Sequence, residues 1–291
     1  MRERYRRDPL RIPWVPVLTD YHLHLRPDDP EATAEVHFTE ANVARYREAA
    51  DAAGIAELGV SEHIDRFAEG LEIWDHPQWR EWGVDDLGAY CEFVRTTPLR
   101  LGIEMDFVAG REERIASVLD RHDFDYVVGS VHFVHGQDAV DWDIWDIWES
   151  MPDPDKVWRL YFDTLAEAVR TGLYDILAHP DLVKVWGERR PLPERDPRFY
   201  YEPVIEAIAD TRIAVEFSTA GWRKPVAEQY PSRAFAEMCL EAQAPFALSS
   251  DAHVPADVGR DYHRAVETMR DWGIDEIAVF EGRQRRTEPL G

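Results

Sequence analysis

The chain has 291 residues, of which 45% are hydrophobic, and its 33 basic and 57 acidic residues give a formal net charge of −24 at pH 7. This length suits one α/β barrel, and the acidic balance argues against broad electrostatic attraction to nucleic acid or to an anionic membrane. The only cysteines are Cys91 and Cys239, so neither a disulfide framework nor a thiolate metal site is expected, and a reducing cytoplasm is favoured. The basic segment 1–14 has no apolar stretch, and no run of about 18 apolar residues occurs, so we expect neither secretion nor membrane spanning.

Apolar, strand-like segments alternate along the chain with segments of helical periodicity. The strand-like segments that end in imidazole or carboxylate groups are 17–24, 55–63, 99–104, 125–132, 174–181 and 246–253. The predicted helices are 42–53, 85–94, 111–121, 155–171, 196–210, 232–242 and 261–272. Glycine follows several of these helices, as at Gly54, Gly172 and Gly273, where it can take the left-handed conformation that ends a helix. Such alternation is typical of βαβ units in a parallel sheet.

About seven such units are visible, and segment 277–280 is a candidate eighth strand. We therefore predict an α/β fold, namely an irregular (β/α)7-type TIM-like barrel, with residues 1–291 forming a single domain. An open, doubly wound sheet is the alternative. The long connections 25–40, 65–84, 133–154 and 182–197 all follow strands, where lids and binding loops often lie. Because the strand-like segments end in imidazole or carboxylate groups, the barrel predicts a metal site at the C-terminal ends of its strands.

Two pairs of candidate ligands have the same alternate spacing. His22 and His24 point to one face of an extended strand and can bind one ion together. Asp251 and His253 repeat this spacing on the last strand, which lies beside the first strand if a barrel closes. Either pair alone is equally compatible with hydrogen-bonded polar residues at a strand end. Barrel closure would bring the two pairs together.

Glu104 is a carboxylate in an apolar stretch, where its burial is unfavourable unless it is paired or bound to a metal. A structural salt bridge is one interpretation. The other is a carboxylate that bridges two ions, with His132 and His179 on the next two strands contributing imidazoles. Mixed imidazole and carboxylate ligation favours Zn, Mn or Fe over Ca or Mg.

Seven motifs between residues 20 and 253 carry a family resemblance: DYHLH, SEH, GIEMDF, GSVHF, AHPDL, EFSTAGWRKP and SSDAH. In these motifs the chain resembles the PHP (polymerase and histidinol phosphatase) superfamily, and within it the histidinol-phosphatase branch. The resemblance implies three divalent transition metals. The first would be bound by His22, His24, Glu104 and Asp251, the second by Glu104, His132 and His179, and the third by His37, His63 and His253. It also makes Glu104, Asp251 and His253 the candidate catalytic residues.

The chain departs from the family pattern around the third metal. Glu62-His63 stands where the family commonly has Asp-His, and Ile64-Asp65-Arg66 replaces a continuation that contains proline. His37 follows an insertion-like stretch, 26–36, and a surface imidazole is the alternative for it. The ligand set of the third metal is therefore the part of the resemblance that most needs structural evidence.

Basic and aromatic residues in the long loops are candidates for substrate binding. Arg223, Lys224 and Lys184 follow predicted strands, where they can bind phosphate oxygens, although surface Lys and Arg are common. The loops that contain Trp74 to Trp82 and Trp142 to Trp148 either pack on the barrel or stack on an imidazole ring.

The resemblance implies hydrolysis of L-histidinol phosphate to L-histidinol and orthophosphate in histidine biosynthesis. The residues themselves indicate metal-dependent hydrolysis of a small phosphate ester, because clustered cations activate water and neutralise phosphate oxygens. No nucleic acid or membrane partner is expected, and the oligomeric state is left open. The alternatives are a PHP phosphoesterase for another phosphate ester or nucleotide, an amidohydrolase-type barrel with no role for the third metal set, and a non-catalytic metal-binding module.

Overall fold

The computed structural model describes residues 17–29 and 31–290. Its main sheet contains seven parallel strands that lie side by side in chain order. These strands are β1 Leu18–Asp20, β2 Ile55–Val60, β3 Arg100–Asp106, β4 Tyr126–Ser130, β7 Ile176–Leu177, β8 Ala214–Ser218 and β9 Phe246–Ser249. Two antiparallel hairpins are formed by β5 Phe133–His135 with β6 Asp138–Ala139, and by β10 Glu276–Glu281 with β11 Gln284–Pro289. The predicted domain span of 1–291 includes residues 1–16, 30 and 291, which lie outside the described residues.

Helices alternate with the parallel strands. They are α1 Ala34–His37, α2 Glu40–Ala52, α3 Gly70–Ile73, α4 Pro77–Trp82, α5 Leu87–Arg95, α6 Glu112–Leu119, α7 Ile147–Ser150, α8 Pro154–Arg170, α9 Arg198–Thr211, α10 Arg233–Glu241 and α11 Tyr262–Asp271. The seven predicted helices correspond to α2, α5, α6 and α8 to α11, with ends that differ by no more than two residues. None of the helices in the described part of the chain is long and apolar enough to cross a membrane.

Local sequence explains why the longest helix, α8, begins and packs as it does. The Asp153 side chain accepts a hydrogen bond from the first turn, and Pro154 at the first helical position has no N–H to leave unpaired. Tyr161, Leu165 and Ala168 lie on the buried stripe of the helix. This stripe packs on the outside of the barrel and against α9, the helix between β7 and β8.

The first and last strands close the barrel. Leu23 and Ala252 form a parallel bridge, and the His24 amide donates a hydrogen bond of 2.8 Å to the Ala252 carbonyl. The amide and hydroxyl of Ser250 donate to the Asp20 carboxylate at 3.0 and 2.5 Å. Burial raises the pKa of Asp20 to about 6, although the hydrogen bonds from Ser250 oppose the shift. The closed barrel confirms the predicted architecture over an open sheet.

The candidate eighth strand, 277–280, has a different role from the one predicted. It lies in β10, which pairs antiparallel with β11 and not with the parallel sheet. Phe280 belongs to a small apolar cluster with Tyr21 and Tyr126, and its amide donates to the Tyr21 hydroxyl at 3.2 Å. The hairpin therefore packs against barrel residues and adds no eighth strand. A short apolar run specifies burial but does not specify the strand with which it pairs.

Candidate metal centre and active site

Eight of the nine predicted ligands converge at the C-terminal ends of the barrel strands. They are His22, His24, His63, Glu104, His132, His179, Asp251 and His253. Barrel closure accounts for this convergence, because each ligand lies on or just after a parallel strand and all these ends meet at one edge. The expectation that the pairs on the first and last strands come together is therefore confirmed.

Glu104 lies at the centre of the cluster, and its two oxygens face different imidazoles. Oε2 lies 3.1 Å from His22 Nε2 and 2.6 Å from His63 Nδ1. Oε1 lies 3.4 Å from His179 Nε2 and 3.7 Å from His132 Nε2. A carboxylate placed in this way can contact two cations at once, one through each oxygen.

The ligand atoms form three overlapping sets, within each of which all atoms lie within 4.8 Å of one another. These sets are His22 with His24 and Asp251, His22 with Glu104 and His179, and His24 with His63 and His253. The first set is part of the grouping implied for the first metal, the second contains His22 in the position expected for His132, and the third contains His24 in the position expected for His37. We call His22, Glu104, His132 and His179 the deep cluster.

The chemistry of the deep cluster fits bound divalent cations. Nε2 of His22 and both carboxylate oxygens of Glu104 are buried and have no hydrogen-bond partner among the described residues. Nε2 of His24 shares this property. An unsatisfied buried polar group costs about 1–3 kcal/mol, so several converging on one point are unfavourable without a cation. Imidazole nitrogens and carboxylate oxygens are the donors that Zn, Mn and Fe accept.

Imidazoles and carboxylates lie so close together in and around the deep cluster that they shift one another's pKa values. Burial acts to lower the pKa of His22, but Glu216, Glu104 and Asp251 outweigh it and hold that pKa well above its usual value. Burial would raise the pKa of Glu104, but the imidazoles of His63 and His22 hold it well below the usual range. Burial would also raise the pKa of Asp251, but the imidazoles of His22, His24 and His253 together hold it well below the usual range. The carboxylates are therefore ionised and available as ligands.

Two buried carboxylates that the sequence analysis left without a role orient the imidazoles. Glu216 Oε1 lies 2.7 Å from His22 Nδ1, and its Oε2 accepts the His179 amide at 2.6 Å. Asp106 Oδ1 lies 2.7 Å from His132 Nδ1. A carboxylate on Nδ1 fixes the tautomer and turns Nε2 toward the metal position. Asp106 lies in the GIEMDF motif, two residues after Glu104, and Glu216 begins the EFSTAGWRKP motif. Their function is shown only by their tertiary contacts.

A second group of residues lies at the outer edge of the site, and we call Asp28, His63 and His253 the rim cluster. Asp28 Oδ2 lies 2.9 Å from His253 Nε2, and Asp28 Oδ1 lies 3.9 Å from His63 Nε2. The buried Arg66 guanidinium donates to Asp28 at 2.5 Å and also contacts Glu62. Asp28 is thus a candidate ligand that the sequence analysis missed.

The structure does not bring His37 into either cluster. His37 ends the short helix α1, and among its described contacts its carbonyl accepts the Asn42 side-chain amide at 3.0 Å. Asp28 contacts the rim imidazoles instead. Segment 25–33 has no periodicity that would show which polar residue faces inward. The geometry therefore favours Asp28 over His37 as the further ligand of the third metal, and His37 stays a prediction from the resemblance.

Two of the candidate ligands have backbone conformations that non-glycine residues rarely adopt. His179 has φ of 22° and Asp251 has φ of 50°. Residues with such positive φ values are uncommon outside glycine and persist only where surrounding contacts hold them. The Glu216 bond to the His179 amide and the Arg223 bond of 3.3 Å to the Asp251 carbonyl are such contacts.

The three predicted phosphate-binding residues have different environments. Lys224 lines a cavity beside the metal-binding residues. The Lys184 ammonium is buried and lies 2.9 Å from Asp181 and 2.8 Å from Glu228, so its charge is already compensated. Arg223 Nη2 donates to the Ser250 carbonyl at 2.7 Å and supports the loop that carries Asp251. Of the three, only Lys224 is positioned to meet a ligand in the cavity.

A closed parallel barrel with an imidazole and carboxylate cluster at its strand ends defines a metal-dependent hydrolase of the barrel class. A sequence profile of the PHP domain family matches residues 35–220. A protein from Deinococcus radiodurans named "Probable histidinol-phosphatase" is 33% identical over 251 residues, which cover 84% of this chain and 91% of that protein. The chain therefore belongs to the PHP domain family.

Two further comparisons extend over most of the chain. The histidinol-phosphatase of Lactococcus lactis is 23% identical over 270 residues, covering 90% of this chain and 94% of that protein. A crystal structure of histidinol phosphate phosphatase from that organism, complexed with zinc, L-histidinol and phosphate, superposes with a TM-score of 0.70 at 20% identity. It covers 93% of this chain and 98% of that chain. At this identity the superposition shows a shared fold.

Proposed function

We propose that this protein is a metal-dependent phosphomonoesterase that hydrolyses L-histidinol phosphate to L-histidinol and orthophosphate. The relatives from Deinococcus radiodurans and Lactococcus lactis are named as histidinol-phosphatases, and the chain spans most of their length. The structural observation that supports the proposal is Glu104, whose two oxygens face different imidazoles, one of them that of His179 in the wall of a cavity. Such a carboxylate suits a multinuclear centre, which is a common catalytic arrangement in metal-dependent phosphoester hydrolases.

The donor set supports three divalent cations, of which Zn, Mn and Fe fit best. His22, His24, Glu104 and Asp251 would hold the first, Glu104, His132 and His179 the second, and Asp28, His63 and His253 the third. When bound, such cations stabilise the negative charge that develops on phosphate oxygens and activate water for attack.

The chain's own residues have three tasks in this reaction. Glu216 and Asp106 hold the Nδ1 protons of His22 and His132, so that each Nε2 is a free donor toward the centre. Lys224 lines the cavity and would pair with an outer phosphate oxygen. Glu104, Asp251 and His253 remain the proposed catalytic residues. Asp251 and His253 line the cavity where the ester would bind, and Glu104 lies buried beside them at the centre of the ligand sets.

The direct test combines metal analysis with phosphate release from three esters: L-histidinol phosphate, a nucleoside 5′-monophosphate and p-nitrophenyl phosphate. We expect up to three equivalents of metal. The kcat/KM for L-histidinol phosphate should be at least roughly 100-fold above that of the other two esters, because an ester without matching polar groups leaves polar groups of the site unpaired. Chelation should abolish activity, and addition of Zn²⁺ or Mn²⁺ to the chelated protein is the matched control that should restore it.

Other outcomes of this experiment point to other functions. A preference for the nucleotide would assign the protein to a different phosphoesterase activity within the family. Stoichiometric metal with no turnover of any phosphate ester would contradict the proposal and support a non-catalytic metal-binding module.

A further inference from the structure

A cavity of about 260 Å³ lies against the metal-binding residues. The hydrolytic chemistry proposed above uses His132, His179 and Lys224 from its wall. The same wall contains two carboxylates and three indoles that have no role in that chemistry, namely Asp65, Asp141, Trp82, Trp142 and Trp186. The Trp186 ring nitrogen already donates to the Val140 carbonyl at 2.9 Å, which leaves Asp65, Asp141, Trp82 and Trp142.

Asp65 is a buried carboxylate in the wall of this cavity, and its Oδ1 atom has no hydrogen-bond partner in the described part of the chain. Its side chain lies in the turn Ile64–Arg66 after β2, and the residue is only 7% exposed. Oδ1 is buried and has no hydrogen bond, and neither oxygen forms an ion pair with the described residues. The adjacent Arg66 is directed instead to Glu62 and Asp28. A buried carboxylate in this state is unfavourable unless a cation or a donor reaches it.

Asp141 has the same property on another loop. It follows the hairpin strand β6, and its Oδ1 is also buried without a hydrogen-bond partner among the described residues. Neither Asp65 nor Asp141 belongs to any of the three ligand sets. Both carboxylates are therefore left to interact with whatever fills the cavity.

The two indoles add an aromatic wall. The Trp82 and Trp142 rings lie 5.6 Å apart between centroids at an angle of 57°, and both side chains are partly exposed where they line the cavity. Aromatic faces attract cations and stack on heterocyclic rings. Other tryptophans of these loops have a packing role: Trp145, for example, packs edge-on against the buried ring of His76.

We propose that Asp65, Asp141, Trp82 and Trp142 form a subsite for the alcohol part of the ester, and that this alcohol carries a protonated amine and an aromatic heterocycle. The inference rests on the proposed function, because it assumes that the phosphate lies at the metal centre. The carboxylates would accept charge-assisted hydrogen bonds from the amine and the ring N–H, and the indoles would pack on the ring. A neutral alcohol would leave both buried carboxylates unpaired, which a polar subsite penalises strongly.

The test uses Asp65→Asn, Asp141→Asn and the double variant, with Glu81→Gln as the matched control. Glu81 is an exposed acid beside Trp82 and does not line the cavity. For each variant, kcat/KM is measured on L-histidinol phosphate and on phenyl phosphate, together with metal content. We expect each Asp variant to lose roughly tenfold or more on L-histidinol phosphate, because a hydrogen bond to a charged group is lost. Phenyl phosphate turnover and metal content should stay within about threefold of the wild type, as should both activities of Glu81→Gln.

Equal losses on both esters, or loss of metal from either Asp variant, would overturn the subsite and assign the carboxylates to support of the metal centre. Calorimetric binding of L-histidinol alone gives a readout that requires no turnover. Two results would support the subsite. Asp141→Asn should weaken the binding of L-histidinol roughly tenfold, and the wild type should bind L-histidinol roughly tenfold more tightly than an imidazole alcohol without the amine. Equal binding of the two alcohols overturns it. If the wild type releases no phosphate from any ester, the proposed function fails, while this binding comparison still decides the subsite.

Discussion

The deep cluster and the rim cluster offer similar donors but hold them differently. In the deep cluster His22 is 1% exposed, and buried carboxylates contact the Nδ1 atoms of His22 and His132. In the rim cluster the Asp28 side chain is 49% exposed. Its described support is the single guanidinium of Arg66.

This difference predicts two kinds of metal affinity in one site. Imidazoles fixed by carboxylates lose little freedom when an ion binds, and their nitrogens are more basic. An exposed ligand on a loop must be ordered on binding and competes with water. We therefore expect the deep cations to bind tightly and the rim cation to exchange first. Four substitutions, taken in order of expected effect, test this comparison.

Glu104→Gln should have the largest effect, because Glu104 is shared between the clusters and its charge is felt by every cation. Loss of a residue that supports a ligand typically costs 10–100-fold, so loss of this shared ligand should lower kcat by more than about 100-fold and reduce metal content. Phosphate release and elemental analysis measure the two effects, with the exposed Glu113→Gln as control. Full metal content with near-normal turnover would contradict the central position of Glu104.

Glu216→Gln should weaken the deep cluster while keeping the shape of the side chain. The amide can still accept from the His179 amide, but it no longer holds a proton on His22 Nδ1 by charge. We expect roughly a 10–100-fold loss of affinity for the tightest-bound cation. Competition with a chelator measures this affinity, and Glu241→Gln, an exposed helix residue, is the control. Selective loss of the weakest-bound cation instead would reverse the proposed order of the two clusters.

Asp28→Asn should affect the rim cluster alone. Removal of the charge that faces His253 should release one equivalent of metal and reduce kcat roughly tenfold, in the lower part of the range for residues around a metal. The neighbouring Asp29→Asn is the matched control, since among its described contacts the Asp29 side chain accepts only one hydrogen bond, from the nearby Glu31 amide. If Asp28→Asn retained every equivalent of metal, Asp28 would not be a ligand.

His37→Ala should have the smallest effect, because His37 lies outside both clusters. We expect kcat/KM and metal content within about twofold of the wild type, as for most substitutions away from special features. A loss comparable with that of Asp28→Asn would restore His37 to the third ligand set. The pair of variants thus decides between the ligand implied by family resemblance and the one implied by geometry.

Much of the fold was predictable because its signals are local. Alternating strand-like and helical segments predicted seven helices to within two residues, and strand ends identified eight candidate ligands that converge in the structure. The prediction failed where the local signal was weak. Segment 277–280 has an apolar pattern that fits a barrel strand or a hairpin equally well, and the loop that contains Asp28 and His37 has no periodicity.

Which chemical groups lie together at the strand ends could be read from the chain alone, because side-chain direction in a strand follows from its period of two residues. How those groups are used depends on contacts that form only when the barrel folds. Glu216 is 194 residues from His22, and Lys184 is 44 residues from Glu228, so neither contact is visible in a local pattern. The first contact shows that Glu216 orients His22, and the second pairs the ammonium of Lys184, a predicted phosphate ligand, with a carboxylate. Partner choice among charged groups depends on which charges folding brings within a few ångströms, and that is a property of the closed barrel.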